Sequence, residues 1–262
     1  MVELAEVLAD LRDESADLDL LVADLPPAGW DSPTPAPGWT IRHQIAHLAW
    51  TDRASTLAIT DPDAFSESLA LALDSPESYV DQGTEAMLAA PEVLLPQWRA
   101  GRESLAATLE AVPAGAKIPW YGTAMSPVSM TTARIMETWA HGGDVADALG
   151  VTRTPTARLR HVAHLGYRTL GWSFMVNDRP PPDEPVRVEL GAPDGSLWTF
   201  GPEDAADRVT GPALDFCRLV TQRANRADLS LETTGRVADE WLDVAQCFAG
   251  PPGSGRGPAG ST

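Results

Sequence analysis

The chain is short of positive charge, of cysteine and of long apolar runs. Its 19 Lys and Arg face 37 Asp and Glu, a formal charge of −18. Phosphate binding needs a basic footprint, so this balance argues against unaided nucleic-acid binding. It disfavours an anionic membrane surface for the same reason. No segment holds the ~18 uninterrupted apolar residues that spanning a bilayer requires. The start, MVELAEVLADLRDES, is acidic and amphipathic; a secretory signal has a basic stretch followed by an apolar core, so none is expected. Two cysteines, Cys217 and Cys247, make no disulfide framework, and the expectation is a soluble cytosolic protein with reduced thiols. Gly-rich phosphate loops, Gly-x-Ser-x-Gly and Cys-x2-Cys are all missing. Lysine is nearly absent too: Lys117 is the only one. With the heavy use of alanine and proline, this tracks GC-rich codons and a high-GC bacterial source, not chemistry.

What is there is 262 residues, enough to bury roughly 70–75% of the unfolded surface in one large domain or two ordinary ones. Leu4, Val7, Leu8, Leu11, Leu18, Leu21 and Val22 recur at helical spacing. A Pro/Gly-rich loop follows, and Thr40 reads as the N-cap of a helix through IRHQIAHLAWTDRAS. Helical patterns return over 64–74, 77–90, 92–111, 130–149 (closed by Gly150 as a C′ glycine) and 155–176. DRPPPDEP reads as a stiff linker. Beyond it, VRVEL and LWTF flank turn residues as a hairpin, then come a helix, the strand LSLETT and a final helix. The expected fold is therefore mostly α: a helical bundle over 1–178, a small α+β domain over 183–250, and a disordered tail over 251–262.

Five histidines are present, and the informative ones sit on helices. Glu137 and His141 are four apart, as are His43 and His47, so each pair shares a helix face. The later face also carries Ala133, Met136, Ala140 and Ala148. A carboxylate on such an inward stripe needs a partner, because burying it alone is very costly. Two helices brought together would gather His47, Glu137 and His141 around one divalent ion, a donor set that suits Zn(II), Ni(II) or Fe(II) with coordination positions left open. Spacing alone leaves the bland reading standing: a solvated Glu–His pair and a core histidine. Asp144, three beyond His141, is a candidate to orient it, and Trp120 and Tyr121, in the preceding loop, are candidates to line a pocket mouth. The two cysteines read as small buried hydrophobes.

PGWTIRHQIAHLAWTDR and METWAHGGDVADALG resemble the two signature helices of the DinB-like metal-binding four-helix bundles. Within those, nearly the whole chain resembles the actinobacterial mycothiol-dependent maleylpyruvate isomerase family. The resemblance implies an antiparallel four-helix bundle followed by the small α+β domain. It places the family's metal triad on His47, Glu137 and His141, and it implies a divalent metal, zinc foremost, with mycothiol as co-substrate. Relatives are thiol transferases that use mycothiol or bacillithiol. The family's arginine, in a Trp-Gly-Arg-like stretch, falls nearest to Arg223 in LVTQR, where the Trp-Gly pair is missing. The position four before the ligand histidine, often Asp in relatives, is His43 here, a candidate substrate acid/base, a candidate group supporting the ligands from behind, or simply a helix residue.

Three readings follow. One is a metal-dependent, thiol-using isomerase or transferase acting on a small molecule. Another keeps the metal without the thiol, as a lyase, hydrolase or cyclase of specialised metabolism. The last is a non-catalytic metal- or ligand-binding protein, a homodimer through its bundle.

Overall fold

A computed structural model describes residues 3–76 and 78–260. The chain divides into two compact units, residues 1–153 and 154–262.

Four long helices make the first unit: α1 (Leu4–Val22), α2 (Ile41–Thr60), α5 (Pro91–Glu110) and α6 (Pro127–Leu149), with the shorter α3 (Pro62–Asp74) and α4 (Tyr79–Glu85) between α2 and α5. Helix α1 packs on α6, and α2 packs on both α5 and α6. Thr40 is the N-cap of α2. Helix α6 starts with the Ser126 hydroxyl accepting from the Ser129 N–H and with Pro127 in its first turn. It stops at Gly150, whose φ of 65° is the left-handed cap that glycine supplies without strain.

The bundle interior is layered. One apolar cluster contains Leu18, Val22, Ile41, Ile45, Leu94, Trp98 and Val145. A second contains Leu8, Ala58, Phe65, Leu105, Leu109 and Met130. Between these levels, beside a small apolar cluster of Val7, Leu11 and Ile135, the helices bury polar residues: Glu14, Ser15 and Asp19 on α1, Gln44, His47, Thr51, Asp52 and Ser55 on α2, and Thr131, Arg134, Thr138, His141 and Asp144 on α6, with half-buried Arg102 and exposed Arg99 of α5 reaching in from the surface. Burying charge is tolerable only in pairs. Arg134 accordingly donates to Asp52 at 3.0 Å. Arg153 binds Glu14, and Arg99 and Arg102 converge on Asp19 at 2.5 and 2.8 Å. The hydrogen bond from Arg99 is the main reason the Asp19 carboxyl sits below its ordinary pKa. For Asp52, burial outweighs Arg134 and pushes the carboxyl up.

The second unit holds α7 (Leu159–Arg168), α8 (Leu170–Val176), β1 (Val186–Gly191), β2 (Leu197–Phe200), β3 (Asp207–Pro212), α9 (Ala213–Val220), β4 (Glu232–Thr234) and α10 (Arg236–Val244). The sheet order is β2-β1-β3-β4. The β1–β2 hairpin is antiparallel, with Val188 opposite Phe200 and Leu190 opposite Trp198. Strand β3 runs parallel to β1, and β4 antiparallel to β3. The mostly-α bundle with a small α+β unit agrees with the sequence expectation. No helix among the described residues is long and apolar enough to cross a membrane.

Four details differ. The units divide at 153/154, not near 178, because α7 packs on α9: a Cβ on Gly166 would lie 2.9 Å from the Val220 methyls, so the two helices approach closely only at glycine. The helix expected over 155–176 breaks at Thr169, whose φ and ψ of −97° and 12° leave the helical region. Strand β3 has no alternating apolar signature, since Val209 is its one fully buried residue. The segment expected to be a disordered tail is anchored instead: Asn225 Nδ2 donates to the Arg256 carbonyl, and the Ala259 N–H donates to Asp228, both at 2.8 Å.

Removing one partner of the buried pair exposes how much the polar level depends on pairing. Arg134→Met is expected to destabilise the protein by about 3–5 kcal/mol, because Asp52 is left buried without its guanidinium. Urea unfolding measures this, and a loss under about 1 kcal/mol would place the pair in contact with solvent.

Candidate metal centre

His47 lies on α2, and Glu137 and His141 lie one turn apart on α6. Helix packing brings the three together, with one donor atom from each lying within 4.8 Å of the others. Glu137 Oε2 is 3.6 Å from His47 Nε2 and 3.2 Å from His141 Nε2. The imidazole centroids are 4.4 Å apart. Both histidine side chains are buried, and the Glu137 side chain is 22% exposed. Burial pushes the Glu137 carboxyl upward, but hydrogen bonds and charge from His141 and His47 outweigh it and hold it well below the usual carboxylate range.

The rear nitrogens are both engaged. His141 Nδ1 meets Gln44 Oε1 at 2.5 Å, and His47 Nδ1 meets the Thr84 hydroxyl on α4 at 3.3 Å. The Nε2 atoms therefore face the carboxylate. A tetrahedral zinc with ligands about 2.0–2.1 Å away separates its donors by roughly 3.3–3.4 Å, and the observed 3.2 and 3.6 Å bracket that spacing. Two imidazoles and one carboxylate, buried, converging and held from behind, fit a divalent metal and leave a tetrahedral ion one position for water or substrate.

Aromatic rings wall the cluster. Trp39, in the loop before α2, lies 6.3, 5.3 and 6.0 Å from the rings of His43, His47 and His141, and Trp50 is 5.7 Å from His47. Trp39 Nε1 donates to Asp81 on α4 at 3.2 Å. Gly83 is what lets α4 sit here, for a Cβ at that position would fall 2.2 Å from the Trp50 ring.

The other sequence candidates are placed as follows. His43 is the third residue of α2, where its Nδ1 accepts from the Thr40 N–H at 3.2 Å. Neutral His43 thus carries its proton on Nε2, which faces Glu85 at 3.7 Å. Asp144 is buried on α6, and Gln44 Oε1 faces His141 Nδ1. Trp120 and Tyr121 pack with Phe65, and Tyr121 meets the Tyr79 hydroxyl at 2.9 Å. Burial raises the Tyr121 phenol far above its ordinary pKa. Tyr79 in turn lies against Trp50, so two rings stand between Tyr121 and His47. Arg223 belongs to the C-terminal unit, just past α9, where its guanidinium donates to the Thr221 carbonyl at 2.8 Å. Sequence reasoning missed Gln44, Thr84 and the covering position of Trp39. Only Gln44 carried a signal, three residues before His47 on the same helix face.

A family profile described as the mycothiol maleylpyruvate isomerase N-terminal domain matches residues 11–146. A second, described as wyosine base formation, matches residues 182–231. Two curated relatives from Mycobacterium tuberculosis, the uncharacterized proteins MT0041 (strain CDC 1551 / Oshkosh) and Rv0036c (strain ATCC 25618 / H37Rv), are 54% identical over 257 residues, spanning 98% of this chain and 100% of theirs. A crystal structure of the mycothiol-dependent maleylpyruvate isomerase superposes with a TM-score of 0.57 at 17% identity, covering 88% of this chain and 93% of that one. A histidine-to-alanine mutant of that isomerase gives 0.58 at 16% identity, with the same coverage. At such identity the likeness concerns the fold.

The close seat of α4 on Trp50 generates one test. Gly83→Ala is expected to push α4, and Thr84 with it, away from the cluster, and to destabilise by about 1–3 kcal/mol through overpacking. Unchanged urea midpoint and near-ultraviolet tryptophan dichroism would show that α4 does not rest on Trp50.

Proposed function

The chain belongs to the mycothiol maleylpyruvate isomerase N-terminal domain family, and from that premise we propose that it is a divalent-metal-dependent enzyme of the thiol-using isomerase and transferase kind. The reading rests on one observation above all: the convergence of His47, Glu137 and His141 with both Nδ1 atoms tied behind them. Zinc is the proposed ion, with nickel or iron compatible with the same donors. When bound, such an ion lowers the pKa of a thiol or water and polarises a carbonyl.

The protein's own groups supply the rest. His47, Glu137 and His141 would hold the ion. Trp39 and Trp50 cover the imidazoles and keep water from that side. His43 holds a proton at Nε2 beside Trp39, where it is proposed to serve proton transfer. Neither cysteine is needed as nucleophile: both are buried, and burial pushes the Cys217 thiol well up. The proposed substrate is a small electrophile bearing a carbonyl or an activated double bond, with mycothiol as the added thiol.

Protein purified without chelator is expected to carry divalent metal in equimolar amount by elemental analysis, and His47→Ala and His141→Ala are each expected to lose it. Full metal content in both variants would overturn the site. Loaded protein is then offered unsaturated keto acids with and without mycothiol. Turnover only with the thiol supports the proposal. Turnover indifferent to it selects the lyase or hydrolase reading, and metal uptake with no turnover selects a binding protein.

A further inference from the structure

Gln44 is fully buried on α2, and its amide has two hydrogen-bonding ends with different neighbours. Nε2 donates to the Thr34 hydroxyl at 2.8 Å, and Oε1 meets His141 Nδ1 at 2.5 Å. Thr34 decides which end points where. Its hydroxyl donates its only hydrogen to the Trp39 carbonyl at 2.9 Å, so toward Gln44 it can only accept. The amide nitrogen must then face Thr34, and the amide oxygen must face His141. An oxygen there requires a proton on His141 Nδ1, so Nε2, 3.2 Å from Glu137 Oε2, is the nitrogen that carries a second proton to the carboxylate or, without that proton, offers its lone pair to an ion.

The start of this relay is itself fixed by backbone. The loop before α2 is closed by a bridge between Pro33 and Thr40. The Thr34 N–H donates to the Trp39 carbonyl at 2.8 Å, and the Ile41 N–H to the Ser32 carbonyl at 3.1 Å. The polarity therefore runs one way, from a clamped carbonyl through a hydroxyl and an amide to an imidazole.

We propose that Gln44, oriented by Thr34, is a positioning residue that holds His141 in the Nδ1-protonated tautomer and so presents Nε2 as a metal donor. Its consequence for affinity rests on the metal-centre reading above, whereas the tautomer does not. Gln44 touches neither substrate nor ion. Thr84 gives His47 no equivalent control, since a hydroxyl can turn to donate or accept. His43 shows the contrast: four residues before His47, it accepts at Nδ1 and holds the opposite tautomer.

The test uses the full chain and zinc alone. Long-range nitrogen–proton NMR of the metal-free protein is expected to show His141 protonated at Nδ1. Competition with a chromophoric chelator is expected to show Gln44→Leu and Thr34→Val binding zinc 10–100-fold more weakly. Gln44→Glu, which keeps an acceptor facing Nδ1, is expected to bind at least as tightly as the wild type. Thr34→Val removes one hydroxyl from a loop, so it answers the question if Gln44→Leu does not fold. Wild-type zinc affinity in a folded Thr34→Val variant, or a His141 bare at Nδ1, would overturn the relay. If the wild type binds no zinc, the metal-centre reading fails, and the NMR pattern alone still decides for or against the relay.

Discussion

A carboxylate inside a helical bundle must be met by positive charge, and this bundle meets its carboxylates in two ways. Glu14, Asp19 and Asp52 each face arginine. Glu137, on the same polar level, faces two imidazoles instead. A guanidinium is a permanent cation that fills its own site. A pair of neutral imidazoles adds lone pairs to the negative charge, and the balance then calls for a proton or a metal ion. That one difference separates a self-contained ion pair from a cluster whose donors could hold an ion.

The same layering explains how much was legible in sequence. Helical spacing located α1, α2, α5 and α6 because their apolar residues bury against one another above and below the polar level. Thr40 and Gly150 marked helix ends because capping is local chemistry. The triad was legible as two i, i+4 pairs joined by resemblance, not by spacing alone. Thr84 was not legible: it comes from a short helix placed by the absent side chain of Gly83, and no periodicity encodes that packing. Strand β3 was missed because DRVTGP is recruited by pairing with β1 and β4 on both sides, so its backbone partners, not its side chains, make it a strand. The division at 153/154 was missed for a related reason: the contact of Gly166 with Val220 joins segments more than fifty residues apart.

Gln44 shows what helical spacing alone does not reveal. A carboxylate three residues along the helix is a common partner for a ligand histidine, and Asp144 is buried at that position. His141 turns its Nδ1 toward α2, and the group that waits there is an amide. An amide orients the ring without adding net charge.

The loop from Pro33 to Thr40 then appears as more than a connection. Thr40 begins α2 and receives His43. Trp39 lies over the imidazoles, and its carbonyl anchors Thr34. Thr34 orients Gln44. One short, backbone-clamped segment thus sets opposite proton positions on His43 and His141. The first keeps a proton on the nitrogen that faces outward to Glu85, and the second keeps a proton on the nitrogen behind, with Nε2 toward the carboxylate. A loop that assigns each by hydrogen-bond direction thus fixes two imidazoles from a single stretch of backbone.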